Sequence, residues 1–142
     1  MLFGRRKRTI TRLLIVEDEP LVAFDAEHIL TEAGYEVLAT VDTIAAALAH
    51  IADGQPQLVL LDINLSDGNG LAIAERAHAN GVPVLIVSGL CPDQAQMLAM
   101  GWLAKPYRPR DLIGAVAAIE AMVDGQPPKT FPTGLSLFAP AG

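Results

Sequence analysis

Three carboxylates, one hydroxyl and one ammonium carry most of the chemistry this sequence offers: Glu17, Asp18, Asp62, Ser88 and Lys105. Each stands directly after a short apolar run, and each run is a different one. Leu13–Val16 precedes Glu17 and Asp18, Leu58–Leu61 precedes Asp62, Pro83–Val87 precedes Ser88, and Trp102–Ala104 precedes Lys105. Any one of these residues alone reads as a helix cap or a solvated side chain. Jointly they specify a place. Carboxylates brought within a few ångströms repel and raise one another's proton affinity unless a cation neutralises them. A hard divalent ion such as Mg²⁺ (or Mn²⁺) takes oxygen ligands, keeps several waters and couples to phosphate. No histidine or thiolate is placed to favour zinc. Lys105 adds a mobile positive charge suited to a carboxylate or a phosphoryl oxygen, and Ser88 adds one hydroxyl donor. The chemistry is that of a phosphoryl group carried on Asp62, between a metal and a lysine.

Positioning such a set requires a sheet whose strands all end at one edge. Helical patterns fill the gaps between the apolar runs. Leu21, Phe24, Ile29, Leu30 and Ala33 form one stripe, closed by Gly34. Val37–Val41 reads as a second strand. Asp42 or Thr43 caps a helix carrying Ile44, Ala47, Leu48 and Ile51, and Leu71–Asn80 is a third helix stopped by Gly81. A short helix is expected over about Pro92–Met100, and a last one opens at Pro109 with Leu112, Val116, Ile119 and Val123 on one face. Five strands alternating with five helices predict an α/β, doubly wound, five-stranded parallel sheet of flavodoxin-like three-layer form. In such sheets ligands bind outside the carboxyl ends of the strands.

Composition agrees. The chain has 142 residues, 51% hydrophobic and 18% charged, enough to fill one core and incompatible with wholesale disorder. A single cysteine, Cys91, excludes a disulfide framework and a cysteine-rich metal site. No apolar run is long enough to cross a bilayer, and no secretory signal is recognisable, so the cytoplasm is the expected location. Between Leu13 and Pro128 stand 16 acidic residues against four basic ones, Arg76, Lys105, Arg108 and Arg110, giving −12, a body that repels nucleic acid. Arg5, Arg6, Lys7, Arg8 and Arg12 form a basic start, expected to be a solvated end. The expected divisions are a basic extension over 1–12, the folded domain over 13–124 and a Pro/Gly-rich tail over 125–142. In the tail, Pro127, Pro128, Pro132, Gly134 and Pro140 argue against any regular element. Phe131, Leu135, Leu137 and Phe138 nonetheless suit a fold back onto the sheet edge or the last helix, or onto a second copy.

The whole pattern resembles the receiver domain of bacterial two-component response regulators. The likeness rests on Leu14-Ile15-Val16-Glu17-Asp18-Glu19, Leu60-Leu61-Asp62-Ile63-Asn64-Leu65, Gly68, Gly70, Val87-Ser88 and Lys105-Pro106-Tyr107, and covers Leu13 to about Asp124. It implies that Asp62 is the phosphoacceptor, that Glu17, Asp18, Asp62 and the backbone carbonyl of Asn64 hold Mg²⁺ or Mn²⁺, and that Lys105 contacts the phosphoryl group. It further implies that Ser88 is the switch hydroxyl, Trp102 the switch aromatic, and the Lys105–Pro106 bond cis. Asn64 and Leu90 take the positions that tune access of hydrolytic water. Ser88 and Trp102 are 14 positions apart, shorter than the family's usual spacing, so the fourth helix or its connection is expected to be reduced. Ser88-Gly89-Leu90 partly matches the Phe-Ala-Thr-Gly-apolar-Tyr motif of a single-domain subgroup, with Cys91 at the tyrosine.

The implied function is a stand-alone response regulator. It takes its phosphoryl group from a sensor histidine kinase or a histidine phosphotransfer protein. It then signals through a downstream protein, or as a shuttle or sink, without a DNA-binding domain and with homodimerisation possible. Catalysis is limited to its own phosphorylation and dephosphorylation. The competing readings are a phosphorylation-independent interaction module and a small aspartate-nucleophile phosphatase. The phosphatase needs an acid two residues after its nucleophile, where Asn64 stands, and a dinucleotide site needs a glycine motif that is absent. His28, His50 and His78 fall within helices away from the cluster.

Overall fold

The computed structural model describes residues 8–138. Strand β1 (Arg12–Val16) is followed by α1 (Pro20–Glu32), β2 (Glu36–Val41), α2 (Ile44–Ala52) and β3 (Leu58–Leu61). A small hairpin, β4 (Asn64–Leu65) and β5 (Gly68–Asn69), leads into α3 (Leu71–Ala79) and β6 (Val84–Ser88). Then come α4 (Asp93–Gln96), β7 (Gly101–Ala104), α5 (Pro109–Val123) and β8 (Leu135–Leu137). The main sheet runs β2-β1-β3-β6-β7-β8. The five expected strands pair in parallel.

Period-two alternation within those strands explains the three layers. Leu13, Ile15, Leu58, Leu60, Leu85, Val87 and Leu103 pack with Leu30 of α1 and Leu112, Val116 and Ile119 of α5. Their neighbours Leu14, Val16, Val59, Leu61, Val84 and Ile86 pack on the other face with Ile51 of α2, Ile73 of α3 and Ala95 of α4. Both faces are covered, so the strands carry apolar residues continuously. Helix starts follow local chemistry. Thr43 caps α2, its hydroxyl accepting from the Ala46 N–H at 3.2 Å, and prolines open α1 and α5.

Two features depart from the sequence reading, and the expected reduction of the fourth helix goes further than its expected span of about Pro92–Met100. The tail does form a regular element: β8 pairs antiparallel with β7, so the sheet has six strands and not five. Its prolines lie outside the three paired residues, where they remove no ladder hydrogen bond. Helix α4 is a single turn; beyond it Met100 donates to the Val84 carbonyl at 2.9 Å, which draws the chain into β7 before a second turn forms. The described chain is already held at residues 8–10, before Leu13. Ile10 is buried, and the amides of Thr9 and Ile10 donate to Glu120 of α5 at 2.7 and 2.8 Å. Arg8 lies over the Tyr35 ring at 4.2 Å. Arg5, Arg6 and Lys7 fall outside the described residues. Among the described residues no helix is long and apolar enough to cross a membrane.

Candidate functional site: an acidic cluster at the carboxyl edge of the sheet

The strand order reverses direction at β1: the chain passes to β2 on one side and then to β3 on the other. The crevice at such a reversal is where an open α/β sheet admits a ligand. Here β1 ends in Glu17 and Asp18 and β3 in Asp62. Their carboxylates offer oxygens lying within 4.8 Å of one another. Glu17 and Asp62 are buried and Asp18 is half-buried.

Lys105, delivered by β7, closes the cluster. Its Nζ donates to Glu17 Oε1 and to Asp62 Oδ2, the latter at 3.1 Å. The backbone orients the remaining oxygens. Glu19 N–H donates to Glu17 Oε2 at 3.1 Å, and Asn64 N–H donates to Asp62 Oδ1 at 3.0 Å. Burial lifts the Glu17 carboxyl above its ordinary range, against the opposing pull of Lys105 and the Glu19 amide. Burial alone would lower the Lys105 ammonium, but its bonds to Glu17 and Asp62 prevail and raise it. Asp18 is held below the usual carboxylate range, chiefly by the Ser66 hydroxyl.

Ser88 ends β6 on the far side of Asp62. Its Oγ is buried and has no hydrogen-bond partner. A buried hydroxyl left unpaired costs about 1–3 kcal/mol, so Ser88 Oγ is free to donate to an acceptor that reaches it. Its carbonyl is well used: Lys105 N–H donates to it at 3.1 Å and Trp102 Nε1 at 2.9 Å. Trp102 is half-buried against the α2/α3 face. The Lys105–Pro106 bond is cis. Leu90 is 73% exposed at the mouth of the β6–α4 loop.

The structure therefore brings Glu17, Asp18, Asp62 and Lys105 together, ends the neighbouring strand β6 in Ser88 and links Trp102 Nε1 to the Ser88 carbonyl. Asn64 enters through its amide. His28, His50 and His78 sit on α1, α2 and α3, away from the cluster. One participant escaped the sequence reading. Ser66, in the β4–β5 turn, donates its N–H and its Oγ–H to Asp18 Oδ2, at 2.6 and 2.5 Å. No spacing rule marks it, because its reach depends on how a two-residue-per-strand hairpin folds over β1.

The donor set fits a hard divalent ion: carboxylate oxygens, no sulfur or imidazole, and a surplus of negative charge beside one ammonium. It also fits an anionic group carried on Asp62, since Lys105 already donates to that carboxylate.

Comparison with known proteins agrees with that geometry. The sequence model described as the response regulator receiver domain matches residues 13–117, well over half of the chain. This protein belongs to the response regulator receiver family. It is 34% identical over 119 residues to the TorCAD operon transcriptional regulatory protein TorR of Escherichia coli O157:H7, covering 79% of this chain and 51% of that one. It is 30% identical over 118 residues to the phyllosphere-induced regulator PhyR of Methylorubrum extorquens, covering 75% of this chain and 42% of that one. The chain thus spans about half the length of these curated relatives. Among solved structures, a CheY-like receiver domain protein from Methanospirillum hungatei superposes with a TM-score of 0.74 at 28% identity, over 82% of this chain and 98% of that one. SdrG of Sphingomonas melonis does so with a TM-score of 0.67 at 33% identity, over 76% and 94%.

Proposed function

We propose that this chain is a phosphoryl-accepting signalling module in a two-component phosphorelay, with Asp62 as acceptor. One observation carries the reading: the Asp62 carboxylate is bonded to Lys105 at 3.1 Å within a cluster of three carboxylates whose oxygens lie within 4.8 Å of one another. The donor is a histidine kinase or a histidine phosphotransfer protein. An Asp62 carboxylate oxygen forms the bond to phosphorus while the phosphorus–nitrogen bond of the phosphohistidine breaks, its electron pair returning to the imidazole. Hydrolysis later releases inorganic phosphate and restores the carboxylate.

Glu17, Asp18, Asp62 and the Asn64 carbonyl would hold Mg²⁺ or Mn²⁺, which when bound supplies neutralisation of charge on the phosphoryl oxygens. The remaining work falls to the chain itself. Lys105 gives up one of its carboxylate contacts to meet a phosphoryl oxygen, offsetting charge in a half-buried setting where it counts for more than in water. Ser88 donates the hydrogen bond it otherwise lacks. The protein acts by contact with a downstream protein or as a phosphate shuttle or sink, and the cytoplasm is its proposed location.

Incubation with acetyl phosphate and MgCl₂ followed by intact mass measurement tests the reading. A single added phosphoryl mass is expected, lost in Asp62→Asn and suppressed by chelation. Full labelling of Asp62→Asn would place the acceptor elsewhere.

A further inference from the structure

Between β3 and α3 the chain makes the β4–β5 hairpin, and the two residues of its turn are tied to different elements. Ser66 donates its N–H and its Oγ–H to Asp18 Oδ2, just beyond β1, at 2.6 and 2.5 Å. Asp67, the next residue, accepts at Oδ2 from the Ile44 N–H, the first amide of α2, at 3.1 Å. The feet of the hairpin are fixed as well. Leu65 is buried in one cluster with Ile63 and Ile73, and the Gly70 N–H donates to the Ile63 carbonyl at 2.7 Å. At Gly68, φ is +146° and a Cβ would stand 3.1 Å from Ile44 Cδ1, so the turn lies directly against the start of α2.

Capping alone does not call for Asp67. Thr43 already caps α2 through the Ala46 amide, and a first amide at an exposed helix start is served as well by water. What Asp67 adds is a fixed relation between α2 and the turn. While Asp67 is held at Ile44, the adjoining Ser66 has little room to leave Asp18. Without that hold the turn, exposed at both residues, is tied at its tip by Ser66 alone.

We infer that Asp67 is a positioning residue for the cation site, acting through Ser66: its bond to Ile44 keeps both Ser66 donors on one oxygen of Asp18 and leaves the other for the cation. The inference rests on the reading of Glu17, Asp18 and Asp62 as ligands of Mg²⁺ or Mn²⁺. A carboxylate whose one oxygen accepts two hydrogen bonds is oriented before the cation arrives, and a ligand oriented in advance gives up less freedom on binding. Such coupling is reciprocal. Whatever the Asp67–Ile44 bond adds to cation affinity, the cation adds to that bond.

Binding of MnCl₂ to the full chain, read from the paramagnetic resonance of the free ion, tests this with two substitutions of equal charge. Asp67→Ala removes the acceptor and should weaken binding about fivefold, the lower end of ordinary coupling between sites. Asp67→Asn loses the same charge but keeps a side-chain oxygen for the Ile44 amide, and should bind as the parent does. Hydrogen exchange of the Ile44 amide in the unaltered chain gives a second reading that needs no variant: saturating MgCl₂ should slow it by a similar factor. Equal weakening in both variants would reduce Asp67 to a surface charge, and equal affinity in all three chains would reduce it to a cap. Either result overturns the inference, as does exchange at Ile44 that MgCl₂ leaves unchanged. An unaltered chain that binds no MnCl₂ overturns the reading of the cation site itself.

Discussion

Ser66 shows how much of a site lies outside its obvious ligands. Its two donors occupy Asp18 Oδ2, which leaves the other oxygen of that carboxylate for a cation. Outer-shell partners of this kind are worth about 10- to 100-fold in metal affinity. Ser66→Ala keeps the backbone donor and removes the hydroxyl, so Mg²⁺ affinity, followed by the fluorescence of the chain's single tryptophan, should fall by about tenfold. Ser66→Thr should restore it. An unchanged affinity in Ser66→Ala would show that the hydroxyl does not orient Asp18. The contrast with Asp62 is instructive. Asp62, Glu17, Asp18 and Lys105 were legible in the sequence because each follows an apolar run, and a run that stops abruptly announces a strand end. Ser66 follows no such run, and its partner lies 48 positions away.

Among the elements, those built from local pattern were readable and those built from distant pairing were not. The five parallel strands follow from apolar runs, and the α2 stripe and most of the α5 stripe from apolar spacing. The α1 stripe is corrected by the structure: Leu21 and Phe24 are exposed, and α1 buries Ala23, Ala26 and Leu30 instead, while Val123 at the end of α5 is also exposed. Strand β8 does not: Leu135-Ser136-Leu137 alternates for only three residues, and it becomes a strand because β7 offers an edge to it. Thr9 and Ile10 are similar, since their acceptor Glu120 is 111 and 110 positions away on α5. Two backbone amides sharing one carboxylate oxygen make a charge-assisted clamp between the start of β1 and α5. Glu120→Ala should therefore lower unfolding stability by about 1.5–3 kcal/mol, read as a reduced urea midpoint, because hydrogen bonds to a charged acceptor are of that size. A midpoint unchanged from the parent would mean that water replaces the carboxylate without loss. The single turn of α4 belongs to this class as well. The sequence places the fourth helix over about Pro92–Met100, but the bond of the Met100 amide to the Val84 carbonyl ends it early.

For the whole molecule, the ionisation of its two tyrosines ties stability to alkaline pH. Burial raises Tyr35 and Tyr107 above the ordinary tyrosine value, against weaker opposing effects from Arg8 and Lys105 respectively. A phenol whose folded value exceeds its unfolded one contributes stability fully below the unfolded value, about pH 10, and loses it as pH rises through the folded value. Absorbance at 295 nm should show both phenols ionising above pH 10 in the native protein. The urea midpoint should begin to fall over the same interval. A phenol titrating at or below pH 10 while the chain stays folded would contradict the burial of that ring.

The antiparallel seating of β8 also bears on behaviour at high concentration. A bare parallel edge at β7 would present unpaired amides and carbonyls beside Trp102 and Leu103, the kind of surface onto which other chains stack without limit. Closing it with a strand of three residues, preceded by Pro132 and Gly134, pairs that edge and leaves a very short outer margin that offers little purchase. Colloidal stability of this protein thus depends on a segment seated by three paired residues and the half-buried Leu135, Leu137 and Phe138.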